Sequence, residues 1–149
     1  MGKILAIDYG KKRIGIAISD SKKSIAFPLK TIENKEIFLY LKEIIQSEKI
    51  EAIVLGEPKA LNNKENILFL EVINFRKKII SLFSLPVHLV DERFSSKIAS
   101  KIILDANIKK MKRRDKSLLD KVSASLILET YLKKKFKRFY QYIFTGAQF

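Results

Sequence analysis

The sequence predicts an α/β fold, a mixed five-stranded sheet with flanking helices. Three observations carry that prediction. Ile4, Leu5, Ala6 and Ile7 form an apolar run without polar relief, the mark of a central strand covered on both faces. Ile14, Ile16 and Ile18 alternate with small residues directly after a glycine turn, so the chain returns as a hairpin. From Asn34 onward, apolar residues at helical spacing alternate with short buried-strand runs, the pattern of parallel crossovers.

Each element follows in order. Tyr9-Gly10-Lys11-Lys12 makes the first turn, with Gly10 free to take a positive φ. Ser21 to Ser24 is a second turn, and Ile25 to Ile32 a third strand that Pro28 assigns to an edge. Asn34 is placed to cap a helix over Lys35–Ser47, where Ile37, Phe38, Leu41, Ile44 and Ile45 share a face. Ala52 to Leu55 is a buried strand ending at Gly56, and a polar segment from Glu57 to Glu65 follows. Ile67 to Phe83 forms a second amphipathic helix. Pro86 opens a fifth strand, Val87 to Val90, which ends in Asp91-Glu92-Arg93. Ser95 can cap a third helix to about Ala106, and a basic connection leads to a last helix from Ser117 to about Leu132. Strands four and five are expected parallel to strand one, with the site at the carboxyl ends of the strands.

At 149 residues, with 47% hydrophobic and 31% charged residues, the chain is a globular protein able to bury a sizeable core. The expected domain spans residues 1–135, followed by a basic-aromatic tail over 136–149. No apolar run approaches the ~20 residues that cross a bilayer. The first residues enter a strand at once and carry no leader pattern, so a cytoplasmic protein without membrane partners is expected. With no cysteine, a metal would have to sit on oxygen or on the lone His88, which reads as a structural or surface residue. The balance of 30 Lys and Arg against 16 Asp and Glu gives +14, a field that attracts polyanions, chiefly nucleic acid.

Acidic residues stand where such a sheet edge would gather them. Asp8 ends the first strand, and either caps the turn or holds a divalent cation. Asp91 and Glu92 end the fifth strand. Asp120 falls on the helical stripe of Ala124, Ile127 and Tyr131, although Ser117-Leu-Leu-Asp120 also matches a capping box. Three carboxylates at one edge could hold two ions, which would activate a water and stabilise the leaving oxygen of a phosphodiester.

The blocks DYGKKRIGIAISD, VLGEP, VDERFSS and LLDKVSASLILETYL resemble, in this order, the YqgF/RuvX family of Holliday-junction-resolvase-like or pre-16S rRNA nucleases. They cover nearly the whole chain to about Leu132. The resemblance implies an RNase H-like fold and places the family's acids on Asp8, Glu92 and Asp120, as catalytic residues and as ligands of Mg²⁺ or Mn²⁺ in a two-metal site. Asp91 ranks as support for Glu92. The chain departs from the family pattern at Lys11, at Glu57 and at Ser95-Ser96, none of which removes a carboxylate.

Basic residues lie beside all three acids: Lys12 and Arg13 after Asp8, Arg93 after Glu92, and Lys112, Arg113 and Arg114 before Asp120. Together they suggest a groove that tracks phosphates. The expected function is a metal-dependent nuclease of structured nucleic acid, by resemblance maturing the 5′ end of 16S rRNA precursor in ribosome biogenesis. The alternatives are a Holliday junction resolvase and a non-catalytic nucleic-acid-binding assembly factor. Oligomeric state is left open.

Overall fold

The computed structural model describes residues 2–58, 63–91 and 116–145, without the side chains of 63–66 and 135–145. The helix expected after Ser95 lies outside the described residues. The chain runs β1 (Lys3–Asp8), β2 (Arg13–Ser19), β3 (Ala26–Glu33), a single 3-10 turn (Asn34–Glu36), α1 (Ile37–Ser47), β4 (Ile50–Glu57), α2 (Asn63–Phe83), β5 (Val87–Asp91) and α3 (Lys116–Thr145).

The strands form one sheet in the order β3-β2-β1-β4-β5. β1 pairs antiparallel with β2 and β2 with β3, while β4 lies parallel to β1 and β5 parallel to β4. This is the expected mixed topology, with β1 and its apolar run Ile4–Ile7 at the centre and the Pro28 strand at an edge. Alternation sorts the side chains onto two faces. Leu5, Ile7, Ile14, Ile16, Ile53 and Leu55 pack with Ile37, Leu41 and Ile44 of α1 and Val72, Phe75 and Ile79 of α2. On the opposite face, Ile4, Ala6, Ala17, Ala52, Val54 and Val90 pack against Ala124, Ile127, Leu128 and Leu132 of α3. The second face is built from small residues, so α3 lies close to the sheet.

Polar groups fix the hairpin at the far end. The buried Ser19 hydroxyl accepts the Ile4 N–H at 2.8 Å and donates to the Asp20 carbonyl at 2.9 Å. Asp20 accepts the N–H groups of Ser24 and Ile25 and the Ser24 hydroxyl, each at 2.8 Å. The Ile25 N–H is the largest influence holding its carboxyl down at about 2.

Three expectations need correction. Asn34 does not cap α1; its side-chain amide donates to the Gly10 carbonyl at 2.7 Å, and the 3-10 turn intervenes before the helix. Gly10 is required by a close approach rather than by a left-handed φ, because a Cβ there would collide with the Arg13 carbonyl. The last helix does not stop near Leu132 but continues to Thr145. Between Asp120 and Gly146 the sequence holds no glycine or proline, and Lys and Arg propagate a helix well. Among the described residues, no helix is long and apolar enough to cross a membrane.

Candidate active site

A row of register partners crosses the sheet at its carboxyl edge. Asp8 on β1 stands opposite Gly15 on β2, and Gly15 opposite Thr31 on β3. Parity puts Asp8 with Ile4 and Ala6, and Gly15 with Ala17, on the face that α3 covers. The first described turns of α3 lie directly on this row. The Thr31 hydroxyl donates to the Ser117 carbonyl at 2.5 Å. A Cβ on Gly15 would collide with the Asp120 carbonyl, so only glycine admits the helix backbone at that point.

This packing brings Asp8 and Asp120 together from a sequence separation of more than a hundred residues. Antiparallel partners sit about 5 Å apart, and Asp120 is in contact with the partner of Asp8, so the two Cα atoms lie within roughly 10 Å. Arg13, two residues before Gly15 and on the same face, donates from Nε to Asp120 Oδ2 at 3.0 Å. The Asp120 side chain is 24% exposed.

Asp91 falls elsewhere. It is in register with Glu57, and both follow the parity of Val87, Leu89 and Leu55 onto the face of α1 and α2. The sheet therefore separates Asp91 from Asp8 and Asp120. Glu92, Arg93, Lys112, Arg113 and Arg114 lie outside the described residues, as does any contact they make. Among the described residues, no three of His, Cys, Asp and Glu converge to hold a metal ion. The two acids that the packing sets on one face, Asp8 and Asp120, are carboxylates, the donor type that Mg²⁺ and Mn²⁺ prefer; Mg²⁺ commonly uses only one or two protein carboxylates beside substrate phosphate oxygens. The donor set fits such a cation. His88 does not join it, being stacked on Tyr131 with ring centroids 5.3 Å apart.

Beside Arg13 the surface opens into a basic pocket of about 580 Å³ lined by Lys11, Lys12, Arg13, Glu33, Asn34 and Lys35. Its floor is fixed where the Asn34 N–H donates to the Lys12 carbonyl at 2.9 Å and its side chain to Gly10. Lys12 and Arg13 were expected to contact nucleic acid; Asn34, Lys35 and the role of Gly15 were not anticipated. The small-residue alternation at Gly15 and Ala17 was the available signal for a close helix.

Residues 2–134 match the family model described as "RuvX: Holliday junction resolvase". A protein from Christiangramia forsetii is 41% identical over 133 residues, covering 89% of this chain and 98% of that one. One from Porphyromonas gingivalis is 44% identical over 133 residues, covering 89% and 96%. Both carry the name "Putative pre-16S rRNA nuclease". Among solved structures, T. thermophilus RuvC in complex with a Holliday junction substrate superposes with a TM-score of 0.58 at 13% identity, over 91% of this chain and 96% of that one. The fowlpox virus resolvase with Holliday junction DNA gives 0.53 at 14% identity, over 89% and 98%. The shared fold is RNase H-like.

Proposed function

The chain belongs to the RuvX family, and from that premise we propose that it is a divalent-metal-dependent nuclease of structured nucleic acid, acting in the cytoplasm on the 5′ end of 16S rRNA precursor. The observation that carries this reading is the packing of the Asp120 backbone on Gly15, the register partner of Asp8, at the carboxyl edge of the sheet. A pair of acidic residues on the face whose core is Ile4, Ala6, Ala17, Ala52, Val54 and Val90, in a chain of net charge +14, suits a cation and a polyanion together.

Asp8 and Asp120 would hold Mg²⁺ or Mn²⁺, with Glu92 as the third carboxylate. When bound, such ions supply Lewis-acid stabilisation of the leaving oxygen and lower the pKa of the attacking water. The chain's own residues do the rest. β1 and α3 hold the two carboxylates on packed elements rather than on loops, which preserves their spacing when the strand arrives. Lys12 and Arg13, with Arg93, Lys112, Arg113 and Arg114, neutralise backbone phosphates and align the strand with the acids.

Two substrates share this chemistry. The curated relatives are named for precursor rRNA, whereas the family description and the structures of similar fold point to four-way DNA junctions. Incubation of the protein with labelled 16S rRNA precursor and with a labelled four-way junction, in Mg²⁺ and in Mn²⁺, separates them. Cleavage of the precursor near the mature 5′ end is the expected result. Cleavage of the junction alone would transfer the assignment to DNA recombination. Binding of both without any cleavage would leave an assembly factor.

A further inference from the structure

The basic pocket and the candidate site share one side chain, Arg13. It lines the pocket with Lys11, Lys12, Asn34 and Lys35, and it also reaches Asp120 at 3.0 Å. That contact is made through Nε alone, which leaves the terminal nitrogens of the guanidinium for another acceptor. The other pocket cations are only loosely engaged. Lys35 pairs with Glu33 at 3.2 Å and Lys11 with Glu71 at 3.8 Å, all four side chains being at least a third exposed. Exposed pairs of this kind are weak and exchange readily for a phosphate. The depression is open to solvent, a shape that suits a phosphate on a strand passing over it, and the hydrogen bonds of Asn34 tie it to the turn that carries Lys11 and Lys12.

We propose that this pocket receives a backbone phosphate of the substrate strand flanking the cut, and that Arg13 turns from Asp120 to that phosphate as the strand binds. That turn removes one positive charge from Asp120, so its hold on a divalent cation strengthens when a strand is present. The free protein keeps the carboxylate occupied by its own cation, so metal and strand bind cooperatively. This rests on the reading of Asp8 and Asp120 as cation ligands, and the measurements below separate the two claims.

The probes are Mn²⁺, followed by the paramagnetic resonance signal of the free ion, and a fluorescently labelled RNA hairpin followed by anisotropy. The full chain is used throughout. Arg13→Ala without RNA is expected to bind Mn²⁺ about two- to five-fold tighter than wild type, the worth of a partly exposed ion pair. Lys12→Ala, which removes a pocket charge not paired with Asp120, is expected to leave that affinity within two-fold. Lys12→Ala with Lys35→Ala is expected to weaken hairpin binding about tenfold and to reduce its salt slope by about one to two. Inorganic phosphate in place of the hairpin is expected to compete only at high concentration, because a free ion lacks the neighbouring contacts.

Unchanged or weaker Mn²⁺ binding in Arg13→Ala overturns the exchange. An equal gain in Lys12→Ala also overturns it, since general charge would then be the cause. Unaltered hairpin binding in the double variant overturns the phosphate site. If Mn²⁺ binds wild type but is indifferent to Asp8→Asn and Asp120→Asn, the metal reading itself fails, and this inference with it.

Discussion

Substitution of Gly15 by alanine tests the geometry beneath the site. The added Cβ would meet the Asp120 carbonyl oxygen and carbon and, at 3.0 Å, the Lys121 nitrogen. All three are backbone atoms of a helix, so no side-chain rotation relieves them. α3 would have to withdraw by roughly 1 Å to restore ordinary contact. That movement is opposed by the Thr31–Ser117 hydrogen bond, the Arg13–Asp120 pair and the packing of Ala124, Ile127 and Leu128. Overpacking of this kind costs about 1–3 kcal/mol, and the rigidity of the obstacle places Gly15→Ala at the upper end. Replacing glycine returns about 0.5–1 kcal/mol through the less flexible unfolded chain. The net loss is about 2 kcal/mol, or a fall in Tm of about 6–8 °C for a chain of this length. Calorimetric melting measures the fall, and cleavage assayed well below Tm is expected to drop about 100-fold as Asp120 moves from Asp8. An unchanged or raised Tm with intact cleavage would refute the contact between Gly15 and α3, and with it the route by which the acids meet.

Three other outcomes follow from the same packing. The Ser123 hydroxyl is buried and, among the described residues, has no hydrogen-bond partner; Ser123→Ala is expected to raise Tm by about 3 °C, and a fall in the melt would show a partner there. Asp20 carries a carboxyl lowered from 3.8 to about 2, so its turn contributes fully above pH 4 and loses that contribution as the pH falls toward 2. Asp20→Ala is accordingly expected to melt below wild type at pH 7, with the gap closing between pH 4 and 2; a gap independent of pH would exclude the carboxylate as its source. The family match ends at residue 134, so a chain ending at Lys135 is expected to unfold cooperatively within about 3 °C of the full chain, and a non-cooperative melt would remove the domain boundary there.

Much of this was legible in one dimension because local pattern determined it. The apolar run Ile4–Ile7 could only be a strand covered on both sides, and it fixed Asp8 at the carboxyl edge. Asp120 stood out as an acid on an apolar helical stripe. Other features depended on partners distant in sequence. Which face Asp91 follows could not be read locally, because it needed the register of Asp91 with Glu57 on the neighbouring strand. Gly15 looked like one small residue in an alternation until α3 was known to cover that face. Asn34 carried a helix-cap signature, yet the nearby Gly10 carbonyl competed for its amide and won. The continuation of α3 past Leu132 was hidden by the aromatic and basic character of the segment, although its freedom from glycine and proline already favoured a helix.

The central claim is that carboxylates from β1 and α3 act together on one phosphodiester. Its most direct test is single-turnover cleavage of labelled 16S rRNA precursor in Mg²⁺ by wild type, Asp8→Asn and Asp120→Asn, with precursor binding followed in parallel by anisotropy. Both variants are expected to lose cleavage by at least about 100-fold while binding the precursor within about three-fold of wild type. Full cleavage by either variant would contradict the account.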